Sequence, residues 1–478
     1  MSTLTLPDVP IEEFTLANGL RVVLSEDHSG PVVSVAVYYD VGSRNEREGR
    51  TGFAHLFEHM MFQGSENVPK AGHFQYVFNS GGTMNGTTSS ERTNYFETLP
   101  ASQLPLALWL ESDRMRSLKV TQENLDNQRD AVKEEKRLNY DNRPYSNAFL
   151  RLNELVYRNP ANAHSTIGSM EDLDAATIDD IREFFRVYYA PNNAVLTICG
   201  DFDPAEARAL VERYFASIPA QPRPAPPDVS EPEEVADRYE LYQDPFAQLP
   251  ALMLGWKVPA RRTPDFYALS LASDLLLDGD SSRLYQRLVK DEESVVGIQG
   301  GLSERRGPSI LYIFAIPKPG HETAEIRATI REEVARLASE GPTPDEMEKL
   351  RNTLLNDAVR GRQSTLYRAQ RLAEFALYDG DPHLLNTEMG RYLAVTPEAI
   401  RGAVGRYLLT DNHVLMEVVP AHLADEPEGE AAPALPEPAG APGQPGSPPP
   451  QIPPKPPTEP PPPVADGKEV VEPVASRQ

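Results

Sequence analysis

Two distant stretches of this chain follow one plan. Ala175, Thr177, Ile181, Tyr188, Asn193, Val195 and Leu196 recur as Ala394, Thr396, Ile400, Tyr407, Asn412, Val414 and Leu415, every pair 219 positions apart (396 − 177, for example). Each copy reads as a Thr-capped helix, a turn with Asn, and a closing strand. A pattern held across that distance means two units of similar design in tandem. The length of 478 residues agrees, being too long for one ordinary core. Composition sets the expected boundaries. A first domain covers 10–218. A linker over 219–235 carries Pro219, Pro222, Pro224, Pro226, Pro227 and Pro232, a second domain covers 236–420, and a tail covers 421–478. Of the tail's 58 residues (478 − 420), 18 are proline and almost none aromatic, so it is expected to be disordered and dispensable for chemistry.

The stretch that carries chemistry is Phe53-Ala54-His55-Leu56-Phe57-Glu58-His59-Met60-Met61. Read as a helix, it puts Phe53, Leu56, Phe57, Met60 and Met61 on a core-facing stripe, with His55, Glu58 and His59 on the opposite side. Two imidazoles four residues apart reach the same point in space, as a three-ligand catalytic zinc site requires of a helix. Glu58 lies beside them, placed to polarise a water rather than to bind the metal. A solvated polar face is the bland alternative. With nine histidines in the chain, a chance H-x-x-E-H has odds on the order of one per cent. This order of residues is the inverzincin motif.

Around it the local patterns are readable. Asn18-Gly19 marks a hairpin turn between apolar runs. Residues 32–40 alternate as a half-buried strand, with Val33, Val35 and Val37 on one side. Residues 81–88 form a glycine-punctuated strand, 93–99 a β-branched and aromatic partner, and 106–118 a helix. A further helix over 121–138 places Leu125, Gln128, Val132 and Glu135 on one stripe. An acid on a core-facing stripe needs a partner, either a cation such as Arg114 or a metal. In the second unit the helix around 268–277 has no histidine, so one metal site per chain is expected, in the first half.

Composition excludes other classes. A formal charge of −25 argues against nucleic acid as a partner, since phosphate binding wants a basic patch. The single Cys199 rules out an internal disulfide and is expected to pack in a strand. Pro7, Asp8, Pro10, Glu12 and Glu13 interrupt any signal peptide, and no stretch reaches transmembrane length. The expected location is therefore cytoplasmic, or periplasmic where a leader has been removed, with no membrane insertion.

His55-x-x-Glu58-His59, followed 76 residues later (135 − 59) by Glu135 within Arg129-Asp130-Ala131-Val132-Lys133-Glu134-Glu135, resembles the pitrilysin or insulinase (M16) family of zinc peptidases. The likeness is closest to the short, two-domain bacterial branch similar to the mitochondrial processing peptidase β subunit. It implies an α+β fold of two homologous domains, each an antiparallel sheet packed with helices. It further implies one zinc ion held by His55, His59 and Glu135, with Glu58 as general base. Asn85, with Gly86 and Thr87, would lie on an edge strand that pairs with the main chain of a peptide substrate. Zinc lowers the pKa of water and polarises the peptide carbonyl, and Glu58 moves the proton to the leaving nitrogen.

Two departures from the family pattern stand out. Gln128 occupies a position where many relatives have a Glu that supports the ligands. Val289 and Val296 fall where active relatives place an Arg and, seven residues on, a Tyr that stabilise the transition state. Arg283 and Tyr285 are present, but two apart on a helix they face different ways. A homologous partner supplying that pair, in a heterodimer or a homodimer, is the expectation. The competing readings are a non-catalytic assembly subunit and a peptide-binding chaperone of the same fold.

Overall fold

The computed structural model describes residues 6–233 and 236–424. Two sheets organise them. The first, in the order β1-β2-β6-β3-β5-β4, consists of β1 (Glu12–Thr15), β2 (Arg21–Glu26), β3 (Val32–Tyr39), β4 (Thr83–Thr88), β5 (Thr93–Pro100) and β6 (Ala194–Gly200). The second, in the order β7-β11-β8-β10-β9, consists of β7 (Arg238–Asp244), β8 (Ala251–Val258), β9 (Val295–Ser303), β10 (Ser309–Pro317) and β11 (His413–Pro420). The shared plan is visible here: β6 and β11 start 219 apart (413 − 194), as do β3 and β8 (251 − 32). The preceding helices, Ile178–Tyr188 and Pro397–Tyr407, are capped by Thr177 and Thr396.

Each sheet is antiparallel except at one junction, where β2 runs parallel to β6 and β7 parallel to β11. Parallel neighbours need a long crossover. In each half it is supplied by the helices that separate the first strand from the last. The β1–β2 hairpin turns at Asn18-Gly19 as expected, with Gly19 at φ +86°.

In the first half, β3 is followed by α1 (Phe53–Met60) and α2 (Gly72–Asn79), and β5 by α3 (Leu104–Ser117), α4 (Gln122–Lys136) and α5 (Ser146–Val156). α1, α3 and α4 bury their apolar faces on the inner side of the first sheet. The expected half-buried strand over 32–40 is wrong on one point: past Val32, β3 is buried on both faces. Its outer face is covered by the helix Thr365–Tyr378 of the second half, whose Ala369, Leu372, Ala373 and Ala376 pack on Val23, Ala36, Tyr38, Val195 and Cys199. Cys199 is thus a buried packing residue of β6. The loan is returned: α5 of the first half lays Ala148, Leu152 and Val156 on Ala251, Met253, Val414 and Met416 of the second sheet.

Polar contacts pin the exchange. Ser34 Oγ lies 2.8 Å from Thr365 Oγ1, Thr197 donates to the Ala369 carbonyl (2.9 Å), and Arg306 reaches Glu91 and Asp40 at 2.6 Å. Residues 219–233 form no helix or strand but are anchored by Asn159 to the Asp228 carbonyl and by Asn162 to the Val229 carbonyl. Of the tail expected over 421–478, Ala421–Ala424 form a helical turn and the remainder lies outside the described residues, as do Glu234 and Val235 of the linker. Among the described residues no helix is long and apolar enough to cross a membrane.

Candidate active site

α1 is only two turns long, so its direction depends on how its start is held. Gly52 enters it at φ +81°, and a Cβ there would stand 2.7 Å from the Ile167 carbonyl oxygen. Only glycine meets both demands. The buried carboxylate of Glu46 accepts hydrogen bonds from the backbone N–H of Gly52 (2.9 Å) and Ala54 (2.7 Å). It serves as an N-cap and sets negative charge at the positive end of the helix. His164 Nε2 lies 2.9 Å from the same carboxylate. Burial opposes a charged imidazole there, but the Glu46 contact outweighs it and the His164 pKa is raised. On the core side, Phe57 packs against Tyr189 and Phe184, with ring centroids at 4.2 and 5.4 Å.

The face opposite those rings carries the motif. His55 and His59 stand with ring centroids 4.8 Å apart and planes at 83°. α4 brings up the third residue. It starts at Thr121, whose side chain accepts from Asn124 N, and buries Leu125, Gln128 and Val132 along one stripe. Glu135, at its last turn, is not sealed in the core as the stripe implied. Its side chain is 35% exposed and faces the two imidazoles. Arg114, the alternative partner for this acid, is held by Glu111 instead.

Glu135 Oε2 lies 3.3 Å from His59 Nε2 and 3.7 Å from His55 Nε2, and one donor atom from each residue falls within 4.8 Å of the others. Ligands at about 2.0–2.1 Å from a tetrahedral zinc stand roughly 3.3 Å from one another, so the donor set and its spacing fit that ion. Burial, then the neighbouring His59, lowers the His55 pKa to about 4, which keeps its ring neutral, the form that coordinates. Its Nδ1 is buried without a hydrogen-bond partner, and the Gln128 amide donates to Asn127 Oδ1 (2.7 Å). The outer support that usually orients a metal-binding imidazole is therefore thin here.

Glu58 is nearly buried on the same turn. Burial raises its pKa, against the hydrogen bond that Thr88 Oγ1 donates to Oε2 at 2.6 Å. Its other oxygen faces β4: a Cβ on Gly86 would stand 3.2 Å from Oε1 and 3.0 Å from the Tyr95 ring. Glycine at 86 lets the strand run this close to the acid. β4 pairs only with β5 among the described residues, leaving its outer edge open. Asn85 is exposed on that strand with Oδ1 accepting from Gly86 N, whereas Thr87 Oγ1 is tied to Asn94 (2.5 Å).

His55, Glu58, His59 and Glu135 thus come together, with Gly86 beside them. Thr88 and Glu46 escaped the sequence reading. An acid shortly before a helix-opening glycine was a signal for Glu46, while nothing local marks Thr88. In the second half, Val289 packs against the domain's core and Val296 is 55% exposed on β9. Arg283 is occupied by Glu346 at 2.7 and 2.8 Å.

Residues 21–169 match the family described as insulinase (peptidase family M16), and residues 175–354 match the peptidase M16 inactive domain. The zinc protease PqqE of Helicobacter pylori is 30% identical over 358 residues, 74% of this chain and 80% of that one. A protease structure from Helicobacter pylori superposes with a TM-score of 0.82 at 27% identity, covering 86% of this chain and all of the other. The periplasmic protease PqqL of Escherichia coli shares the fold (TM-score 0.71, 20% identity), with 88% of this chain matching 49% of that longer one.

Proposed function

Since the chain belongs to the M16, or insulinase, family of peptidases, we propose that it is the metal-bearing subunit of a zinc endopeptidase that cuts unfolded peptide segments. In this reading His55, His59 and Glu135 hold the ion and Glu58 is the general base. The observation that carries it is the convergence of one carboxylate from α4 on two imidazoles of α1 at 3.3 and 3.7 Å.

The ion, when bound, supplies a positive charge that acidifies water and polarises a carbonyl. The rest belongs to the chain. An extended peptide added to the open edge of β4 would gain main-chain hydrogen bonds with little dependence on its sequence. That edge passes Gly86, so the peptide backbone would lie within reach of Glu58 Oε1. Thr88 holds the other oxygen, leaving Oε1 to take a proton from water and pass it to the departing nitrogen. Selection would then favour substrates able to lie extended, more than any one side chain.

Donors for the transition-state oxyanion come, in this proposal, from a homologous partner chain. Valines at 289 and 296 cannot donate, and the nearby Arg283 is committed to Glu346. The match to about half of a longer chain of this fold fits a working unit of two such chains. The test is zinc content and cleavage of a fluorogenic peptide, for the chain alone and with its partner. Glu58→Gln should keep the zinc held in the cleft and lose about 10²- to 10⁴-fold in kcat. Cleavage by the Gln variant at the native rate would sink the catalytic reading. Full activity of the isolated chain, undiminished by dilution, would remove the partner.

A further inference from the structure

A second cluster of metal-ligating side chains lies inside the first domain, away from the cleft. His73 on α2, Glu97 on β5 and Glu111 on α3 are 4%, 0% and 1% exposed. His73 Nε2 stands 3.5 Å from Glu97 Oε2 and 3.9 Å from Glu111 Oε1, and one donor atom of each lies within 4.8 Å of the other two. His73 Nε2 and both Glu97 oxygens have no hydrogen-bond partner. Leaving three such atoms dry costs several kcal/mol.

The spacing discriminates between possible occupants. These separations exceed a hydrogen bond, which spans roughly 2.6–3.2 Å. They fall short of the roughly 4.5 Å between two groups that share one bridging water. Ligands of a single zinc-sized ion stand about 3.3–3.6 Å apart; the cleft donors at 3.3 and 3.7 Å and these at 3.5 and 3.9 Å lie at or a few tenths of an ångström beyond that spacing, so a small closure brings either set onto one ion. Arg114 plays the supporting part. Its Nε donates to Glu111 Oε2 at 2.9 Å and its Nη2 to Oε1, which fixes the carboxylate while each oxygen keeps a second lone pair. The guanidinium sits 4.3 Å over the Tyr95 ring, the ring that backs Gly86. Arg114 is hydrogen-bonded to Glu111 and reaches Glu97 only through a longer-range attraction, so Glu97 keeps both oxygens without a hydrogen-bond donor.

We propose that His73, Glu97 and Glu111 form a second cation site, closed to solvent, that holds one zinc-sized divalent ion and ties α2, β5 and α3 together beneath the edge strand. Its role is structural, since no position opens to water or substrate.

The experiment uses the full chain with His55→Ala and His59→Ala, which disables the cleft site, produced in zinc-supplemented medium. Elemental analysis should find about one zinc per folded chain. Adding Glu97→Gln should remove it. A second measurement leaves the cluster intact: the double variant is unfolded in chelator and refolded with or without zinc, and the zinc-refolded protein should melt several degrees higher. A folded double variant that carries no zinc, an ion that survives Glu97→Gln, or identical melting curves would each overturn the site. None of these results bears on whether Glu58 is catalytic.

Discussion

The two halves of the chain share a strand order, a crossover and an exchanged helix, yet they differ where chemistry is expected. After β3 comes α1, two-faced, with aromatic residues inward and His55, Glu58 and His59 outward. After β8 comes Pro264–Leu277, which buries Phe266, Ala268, Leu269, Leu271, Leu275 and Leu276 around most of its circumference and carries Asp274 and no histidine. A helix apolar nearly all round serves only packing. Burial, then Asp278 and Asp357, pushes the Asp274 pKa up to about 7. One scaffold thus supports a candidate metal centre in one half and a packed acid in the other. A few side chains separate them, and the fold does not decide which half has the site.

The contrast can be broken or sharpened by substitution. The largest effect is expected from His59→Ala, which should abolish zinc binding in the cleft and take cleavage to background, while Asp278→Ala, just past the end of the second half's counterpart helix, leaves both unchanged. Thr88→Val should keep the zinc and lower kcat about tenfold, because Glu58 loses the donor that orients it. An unaltered kcat would show that the contact is incidental. Glu46→Gln should cost about 1–2 kcal/mol in urea unfolding, since the first turn of α1 loses its charged cap. The smallest effect is a pH dependence confined to the second half. Folded Asp274 keeps its proton to about pH 7, whereas its ordinary pKa is near 3.8. Its stabilisation is therefore full below about pH 4 and lost as pH rises to 7. Relative to Asp274→Asn, the native chain should lose on the order of 1 kcal/mol across that window, the carboxyl being only partly buried. A constant difference from pH 4 to 8 would contradict this.

Much of the fold could be read from periodicity. The 219-residue offset reappears in β3 and β8 and in β6 and β11, the Asn18-Gly19 turn is where its residues put it, and α1 and α4 match their stripes. The motif and its distant acid meet, at 3.3 and 3.7 Å, as the helical stripe on α4 and the family spacing led one to expect. What escaped was contact between segments far apart in sequence. β3 alternates like a half-buried strand, yet Thr365–Tyr378 covers its second face. The stripe on α4 made Glu135 look enclosed, but nothing local says where the helix passes the edge of the core. His73, Glu97 and Glu111 sit on three elements and share no spacing that marks them as neighbours.

Residue order therefore carried the duplication, the turn, and the faces of α1 and α4. The faces are properties of neighbours three to seven positions apart, which backbone geometry turns directly into shared surfaces, the turn belongs to two adjacent residues, and the duplication shows as a fixed offset between like residues. The exchange of helices between the halves, the charge that caps α1, and the sealing of one histidine–carboxylate cluster while the other stays open belong to the packed molecule. Most of these contacts join groups far apart in sequence, such as Ser34 with Thr365 and Thr197 with Ala369, and burial sets their strength only once the chain has closed around them.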